Sequence, residues 1–252
     1  MNYKKLEEHL SGFLHKNLKK SGLKNLVLGV SGGIDSAVVA TICARNKIPI
    51  FALILPNKNS NLKNLEDAKN LCENLKIPYE IFFIDQICDS FIKNFPDISK
   101  LRFANLVARI RMNLLFDYSA QKNAVVVGTS NLSERILGYG TIYGDLACGF
   151  NPLGEITKTE IFEFAKYLKI PKNIIEKAPS ADLWENQTDE SDFGFTYEQI
   201  DKVIFEIFIK KQKDAKEKFD KNLVDFVLNS YKKNSFKLKM PKIARISKFR
   251  SC

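Results

Sequence analysis

The segment Leu26-Val-Leu-Gly-Val-Ser-Gly-Gly-Ile-Asp-Ser36 holds the residue types best suited to chemistry in this chain. A short apolar run leads into Ser31-Gly-Gly-Ile-Asp-Ser36, and Ala37–Ala44 then reads as a helix. Strand, glycine turn and helix start together form an anion site. Glycines let a phosphate approach the main chain, and the first N–H groups of a helix carry a partial positive charge. Ser31 and Ser36 add hydroxyl donors. Asp35 is the odd member. A carboxylate beside a polyphosphate is repelled unless a cation lies between them, which points to Mg²⁺. This is not the common P-loop, because no Gly-Lys-Ser/Thr tripeptide occurs in the chain.

A second strand-to-helix turn is Val125-Val-Val-Gly-Thr-Ser-Asn-Leu-Ser-Glu134. Thr129 sits where the strand ends and Glu134 in the helix that follows. If the ends of the two strands face each other across a cleft, Thr129 reaches a nucleotide and Glu134 joins Asp35 on the cation. Lys158 opens another helix, an unfavourable place for a cation unless an anion is near. No Ser-His or Cys-His pair is evident. The two histidines, His9 and His15, both lie near the N-terminus, so a zinc site is not expected.

These residues need a scaffold. Apolar strand candidates at 25–30, 49–55, 79–84 and 124–128 alternate with helix candidates at 36–46, 62–75 and 100–120. That alternation predicts an α/β fold: a doubly wound, mostly parallel sheet, expected to have five strands, with helices on both faces. Ligands of such sheets sit at the carboxyl ends of the strands. An amphipathic helix is expected over residues 3–20, from Leu6, Leu10, Phe13, Leu14 and Leu18. From about residue 157 the chain reads as helical, at 157–168, 171–176, 197–209 and 213–230. Residues 138–151 and 177–196 read as loops long enough to be functional. The whole of 1–252 is expected to form a single domain.

Composition bounds the answer further. Hydrophobic residues make up 45% and charged residues 27%, ordinary for a soluble protein. No apolar stretch is long enough to span a bilayer, and the N-terminus lacks a signal-peptide core, so a cytoplasmic protein without membrane contact is expected. Five scattered cysteines argue against a disulfide framework. The net charge of +10 reads as a lysine-rich solvated surface, as at Lys210–Lys213 and Lys237–Lys242, and not as a nucleic-acid groove.

Ser-Gly-Gly-x-Asp-Ser resembles the loop of the ATP pyrophosphatases, which cleave ATP between the α- and β-phosphates. Behind it come Gly128-Thr-Ser-Asn-Leu-Ser-Glu134, Gly138-Tyr-Gly-Thr-Ile-Tyr-Gly-Asp145 and Asn151-Pro-Leu-Gly-Glu-Ile-Thr-Lys158. Pro179-Ser-Ala-Asp-Leu-Trp184 and Gln187-Thr-Asp-Glu190 follow. In this order the motifs resemble NAD synthetase, over roughly residues 20–242. The resemblance implies an adenine nucleotide alpha hydrolase-like fold and a defined reaction. The carboxylate of deamido-NAD attacks the α-phosphorus of ATP, pyrophosphate leaves, and ammonia converts the adenylate to NAD and AMP. It implies that Gly29, Val30, Ser31, Gly32, Gly33, Ile34, Asp35 and Ser36 hold the ATP phosphates, with Thr129, Lys158 and Ser180 also on ATP. It implies Asp35 and Glu134 on Mg²⁺, and Arg109 and Lys237 on deamido-NAD. Arg111, two residues beyond Arg109, is the rival for that role.

This chain departs from the family pattern at three positions. Ile142 stands where many members carry lysine, Gly149 where they carry aspartate, and Phe236 where they carry histidine. Only about 24 residues precede the first strand, too few for the amidase domain of glutamine-dependent members, so free ammonia is the expected nitrogen source. The helix at 100–120 is apolar on several sides and is expected to pack on a second copy in a homodimer. Two rival readings are a tRNA-modifying enzyme of the same loop class and a nucleotide sensor without turnover. The first lacks paired cysteines. The second does not need Asp35, Glu134 and Lys158 together.

Overall fold

The computed structural model describes residues 1–180, 187–212 and 214–246. The first elements are α1 (Tyr3–Ser21), β1 (Asn25–Gly29), α2 (Ile34–Arg45), β2 (Ile50–Ile54), α3 (Leu62–Leu75) and β3 (Tyr79–Ile81). They are followed by α4 (Asp85–Asn94), α5 (Lys100–Gln121), β4 (Ala124–Val127) and α6 (Leu132–Leu137). The remainder is helical: α7 (Lys158–Tyr167), α8 (Lys172–Ile175), α9 (Asp189–Phe193), α10 (Tyr197–Ile204) and α11 (Lys221–Asn234).

All strand pairs are parallel, in the order β3-β2-β1-β4. The chain therefore steps outward from β1 to β3 and then returns to the far side of β1. The switch point lies between β1 and β4, where Leu28 is in register with Val127. The loops after these two strands leave the sheet side by side, which is where open α/β sheets place ligands.

The period of two along each strand divides the core. Leu26 and Leu28 face one cluster with Val38 and Ile42 of α2, Leu14 of α1 and Phe164 of α7. Val27 and Leu53 face the other, with Val107, Ile110 and Tyr118 of α5. A third cluster joins Ile136 and Leu137 of α6 to Ile200 and Ile204 of α10 and Val224 and Val227 of α11.

Helices on both faces are as expected; the strand count is not. Among the described residues the sheet has four strands, not five. What would be a fifth is one parallel bridge between Val127 and Phe150. Pro152 has no N–H to extend that ladder. Gly149 lies so close to β4 that a Cβ there would fall 2.3 Å from Val125 Cγ1.

Other boundaries shift for local reasons. The helix expected at 213–230 starts at Lys221, because the Asp220 side chain accepts from Leu223 N–H and caps it there. α4 lies in a stretch where no element was expected. α5 is largely covered within the chain: Phe103, Leu106, Val107, Ile110, Leu114 and Leu115 belong to or pack on the second cluster. Leu101 and Phe116 remain 65% and 42% exposed.

Candidate active site

The loop after β1 is shaped by close packing. Gly32 takes a left-handed φ of 78°, and a Cβ there would lie 2.2 Å from the Asn64 carbonyl oxygen. Glycine is required on both counts. Ser36 Oγ donates to Gly33 O at 3.0 Å and accepts from Ser31 N at 3.3 Å, which ties the loop to the first turn of α2. Lys177 Nζ binds Gly32 O, Asn64 Oδ1 and Asp67 Oδ2 at 3.1, 2.6 and 2.6 Å, fastening the loop to α3.

α2 begins with no side-chain cap. By contrast α6, α7 and α10 each carry a full capping box. An uncapped helix start beyond a glycine turn offers its first N–H groups to an external anion.

Three charged side chains meet beside that helix start. Lys158 Nζ lies 2.6 Å from Asp35 Oδ2 and 3.2 Å from Glu134 Oε1, and the lysine side chain is 4% exposed. Its position in the first turn of α7 is electrostatically poor, and the two carboxylates offset it. Burial alone would lower the Lys158 ammonium, but Asp35 and Glu134 more than offset this and raise it well above the usual lysine range. Burial pushes the Glu134 carboxyl up to about 8, with Lys158 opposing the shift and Asp35 adding to it.

The capping box of α6 divides Glu134 between two tasks. Oε2 accepts from Asn131 N–H at 3.3 Å, which leaves Oε1 for Lys158. Asn131, fully buried, accepts from Glu134 N–H at 3.0 Å and donates Nδ2 to Asp35 Oδ1, also at 3.0 Å. Behind α7, Asp201 accepts from Ser133 Oγ at 2.5 Å and from Thr159 N–H at 2.8 Å. Ser133 Oγ in turn accepts from Lys158 N–H at 2.9 Å. Asn131 and Asp201 thus position the charged centre, and neither role was read from the sequence. Asn131 at the cap three residues before Glu134 was the available signal for the first. Asp201 carried none, because its partners are 68 and 42 residues away.

The other expected residues fall in different places. Thr129, partly buried, lies on the loop between β4 and α6. Ser180 is exposed and directly precedes residues outside the description, among them Trp184. Arg109 Nε donates to Ile142 O at 3.3 Å, and Lys237 Nζ donates to Gly138 O and Gly140 O at 2.8 and 3.1 Å. Both cations therefore grip one loop, from opposite ends of the chain. Arg111 turns to Leu55 O at 3.0 Å and Ser60 Oγ at 3.3 Å. A cavity of about 350 Å³ lined by Asn25, Ile50 and Pro78 lies at the amino ends of the strands, away from this chemistry.

The arrangement can bind a polyphosphate on α2 and neutralise its charge with Lys158 and a cation shared by two carboxylates. The sequence model of the NAD synthase family matches residues 6–241. A relative from Campylobacter jejuni, named NH(3)-dependent NAD(+) synthetase, is 49% identical over 247 residues, covering 98% of this chain and 100% of the relative. The structure of an NMN synthetase from Francisella tularensis superposes with a TM-score of 0.89 at 32% identity, covering 98% of this chain and 100% of that one. The structure of an NH3-dependent NAD synthetase from Campylobacter jejuni superposes with a TM-score of 0.85 at 44% identity, covering 97% and 100%.

Proposed function

The chain belongs to the NAD synthase family, and from that premise we propose that it converts deamido-NAD to NAD, with ATP and ammonia as co-substrates. The observation that carries this reading is the Lys158 ammonium held between Asp35 and Glu134 beside the uncapped start of α2.

Attack of a carboxylate on a phosphate brings two anions together, so the site must supply positive charge. The loop 29–36 receives the ATP phosphates, with Thr129 and Ser180 as further contacts. Lys158 follows the negative charge that builds up as pyrophosphate separates. The donor set fits Mg²⁺: Asp35 Oδ2 and Glu134 Oε1 are hard oxygens converging on one cationic point, the Lys158 ammonium. Bound there, Mg²⁺ would supply charge neutralisation of the triphosphate. Arg109 and Lys237 act on the dinucleotide through the 138–142 segment that both hold. Adenylation creates the leaving group, so ammonia can attack the acyl carbon without a protein nucleophile.

Deamido-NAD-dependent pyrophosphate release from ATP tests the first half. Amide formation with ammonium and not with ammonia-free glutamine tests the second. Pyrophosphate release indifferent to deamido-NAD refutes the reading. A second reading, with NMN as product, draws on the closer superposition with the Francisella tularensis structure, and offering the deamido form of each nucleotide separates the two.

The same reading takes residues 1–252 as one catalytic domain, in a cytoplasmic homodimer assembled through α5. No helix among the described residues is long and apolar enough to cross a membrane.

A further inference from the structure

Among the described residues, one buried side-chain polar atom has no hydrogen-bond partner, Oδ1 of Asp189. Asp189 is 3% exposed. Its Oδ2 accepts from the Tyr197 hydroxyl at 2.9 Å, and its N–H donates to Pro179 O at 2.9 Å. The neighbouring donors are directed elsewhere. Tyr139 donates to Asp192 Oδ2 at 2.7 Å, and Gln187 Nε2 binds Tyr139 Oη and Asp192 Oδ2 at 3.1 and 2.8 Å. Buried polar atoms are almost always satisfied, so a bare carboxylate oxygen calls for a donor from outside the chain.

The surroundings define that donor. Asp189 raises the Glu134 carboxyl and Asp35 raises that of Asp189, so the three acids act on one another against the single cation Lys158. They do not form a three-ligand metal cluster among the described residues. The surplus negative charge at Asp189 is thus separate from the shared cation point. Aromatic rings line the position: Phe193 packs edge-on against Tyr139 at 4.7 Å and Tyr197 at 5.6 Å. The Tyr197 ring already carries the Lys158 ammonium at 5.5 Å. Acid and aromatic rings together suit a small cation with hydrogen-bond donors.

We propose that Asp189 Oδ1 is the docking acceptor for the ammonium ion that delivers the amide nitrogen. This rests on the amidation reading above. Docking is binding only and makes or breaks no covalent bond.

The test compares Asp189→Asn with wild type in three assays: adenylation without ammonium, amidation with ammonium, and acyl transfer to hydroxylamine. Hydroxylamine is uncharged at neutral pH and needs no anionic dock. The expected result is a rise of about tenfold or more in the KM for ammonium. Adenylation and the KM for hydroxylamine should stay near wild type. An equal loss with both nucleophiles, or an unchanged KM for ammonium, overturns the proposal. Should the variant fold poorly, K⁺ is the probe in wild type. It should compete with ammonium and leave hydroxylamine unaffected, and absence of that selective competition overturns the proposal equally. Wild type that fails to adenylate deamido-NAD would instead refute the amidation reading itself.

Discussion

The Asn131 side-chain amide donates to Asp35 Oδ1 at 3.0 Å, joining the loops after β4 and β1 across 96 residues of sequence. The same side chain accepts from Glu134 N–H at 3.0 Å. One buried asparagine thus sets the spacing of both carboxylates that hold Lys158. Its two halves do different work, since the oxygen caps a helix and the nitrogen orients an acid.

Substitution separates these halves. Asn131→Ala should lower stability by about 1–2 kcal/mol through the lost cap, and activity by more than that alone explains. Asn131→Asp keeps a capping oxygen but sets a carboxylate against Asp35. It should unfold nearer to wild type in urea and still release pyrophosphate slowly. Near-normal turnover in Asn131→Asp would contradict the positioning role.

Lys158→Met should reduce the rate of pyrophosphate release by about 10²–10³-fold, the usual loss for a group stabilising developing charge. Added Mg²⁺ should not restore it, because the ion and the lysine answer to different parts of the charge. Asp35→Asn should instead raise the Mg²⁺ concentration needed for half-maximal rate. Full rescue of Lys158→Met by Mg²⁺ would show that the lysine only fills the metal's place.

Alkaline stability follows from two thiols. Cys43 and Cys72 are fully buried, and burial pushes both from an ordinary value of 9.0 up to about 12. Between those values the unfolded chain gives up these protons and the folded chain keeps them. Ionisation therefore favours unfolding, and stability falls as pH rises above 9, by about 1.4 kcal/mol per pH unit for each thiol. Urea melts at pH 8 and pH 10 should show this slope, and Cys43→Ala with Cys72→Ala should flatten it. An identical slope in the double variant would rule out the thiols as its source.

Assembly can be probed at the ends of α5. Leu101 and Phe116 are exposed on a helix whose other large apolar side chains are covered within the chain. Leu101→Glu with Phe116→Glu should convert a dimer to monomer by light scattering. Activity should fall with it, since Arg109 and its grip on the Ile142 carbonyl lie on the same helix. A wild-type monomer at micromolar concentration with full activity would exclude the dimer.

The sequence by itself determined what depends on neighbours along the chain. The turn at Gly32, the boundaries of α3 and the strand-turn-helix order of the sheet follow from residue type and local period. The catalytic chemistry was equally legible, because Ser31–Ser36, Thr129–Glu134 and Lys158 carry it in contiguous motifs. Tertiary structure alone decided who meets whom. Lys158 reaches Asp35 across 123 residues and Glu134 across 24, and Arg109 and Lys237 converge on one loop from 33 and 97–99 residues away. It also reduced the expected fifth strand to a single bridge and buried the bare oxygen of Asp189. Local propensity acts over a few residues, whereas burial and electrostatic pairing depend on which surfaces the packed core brings together.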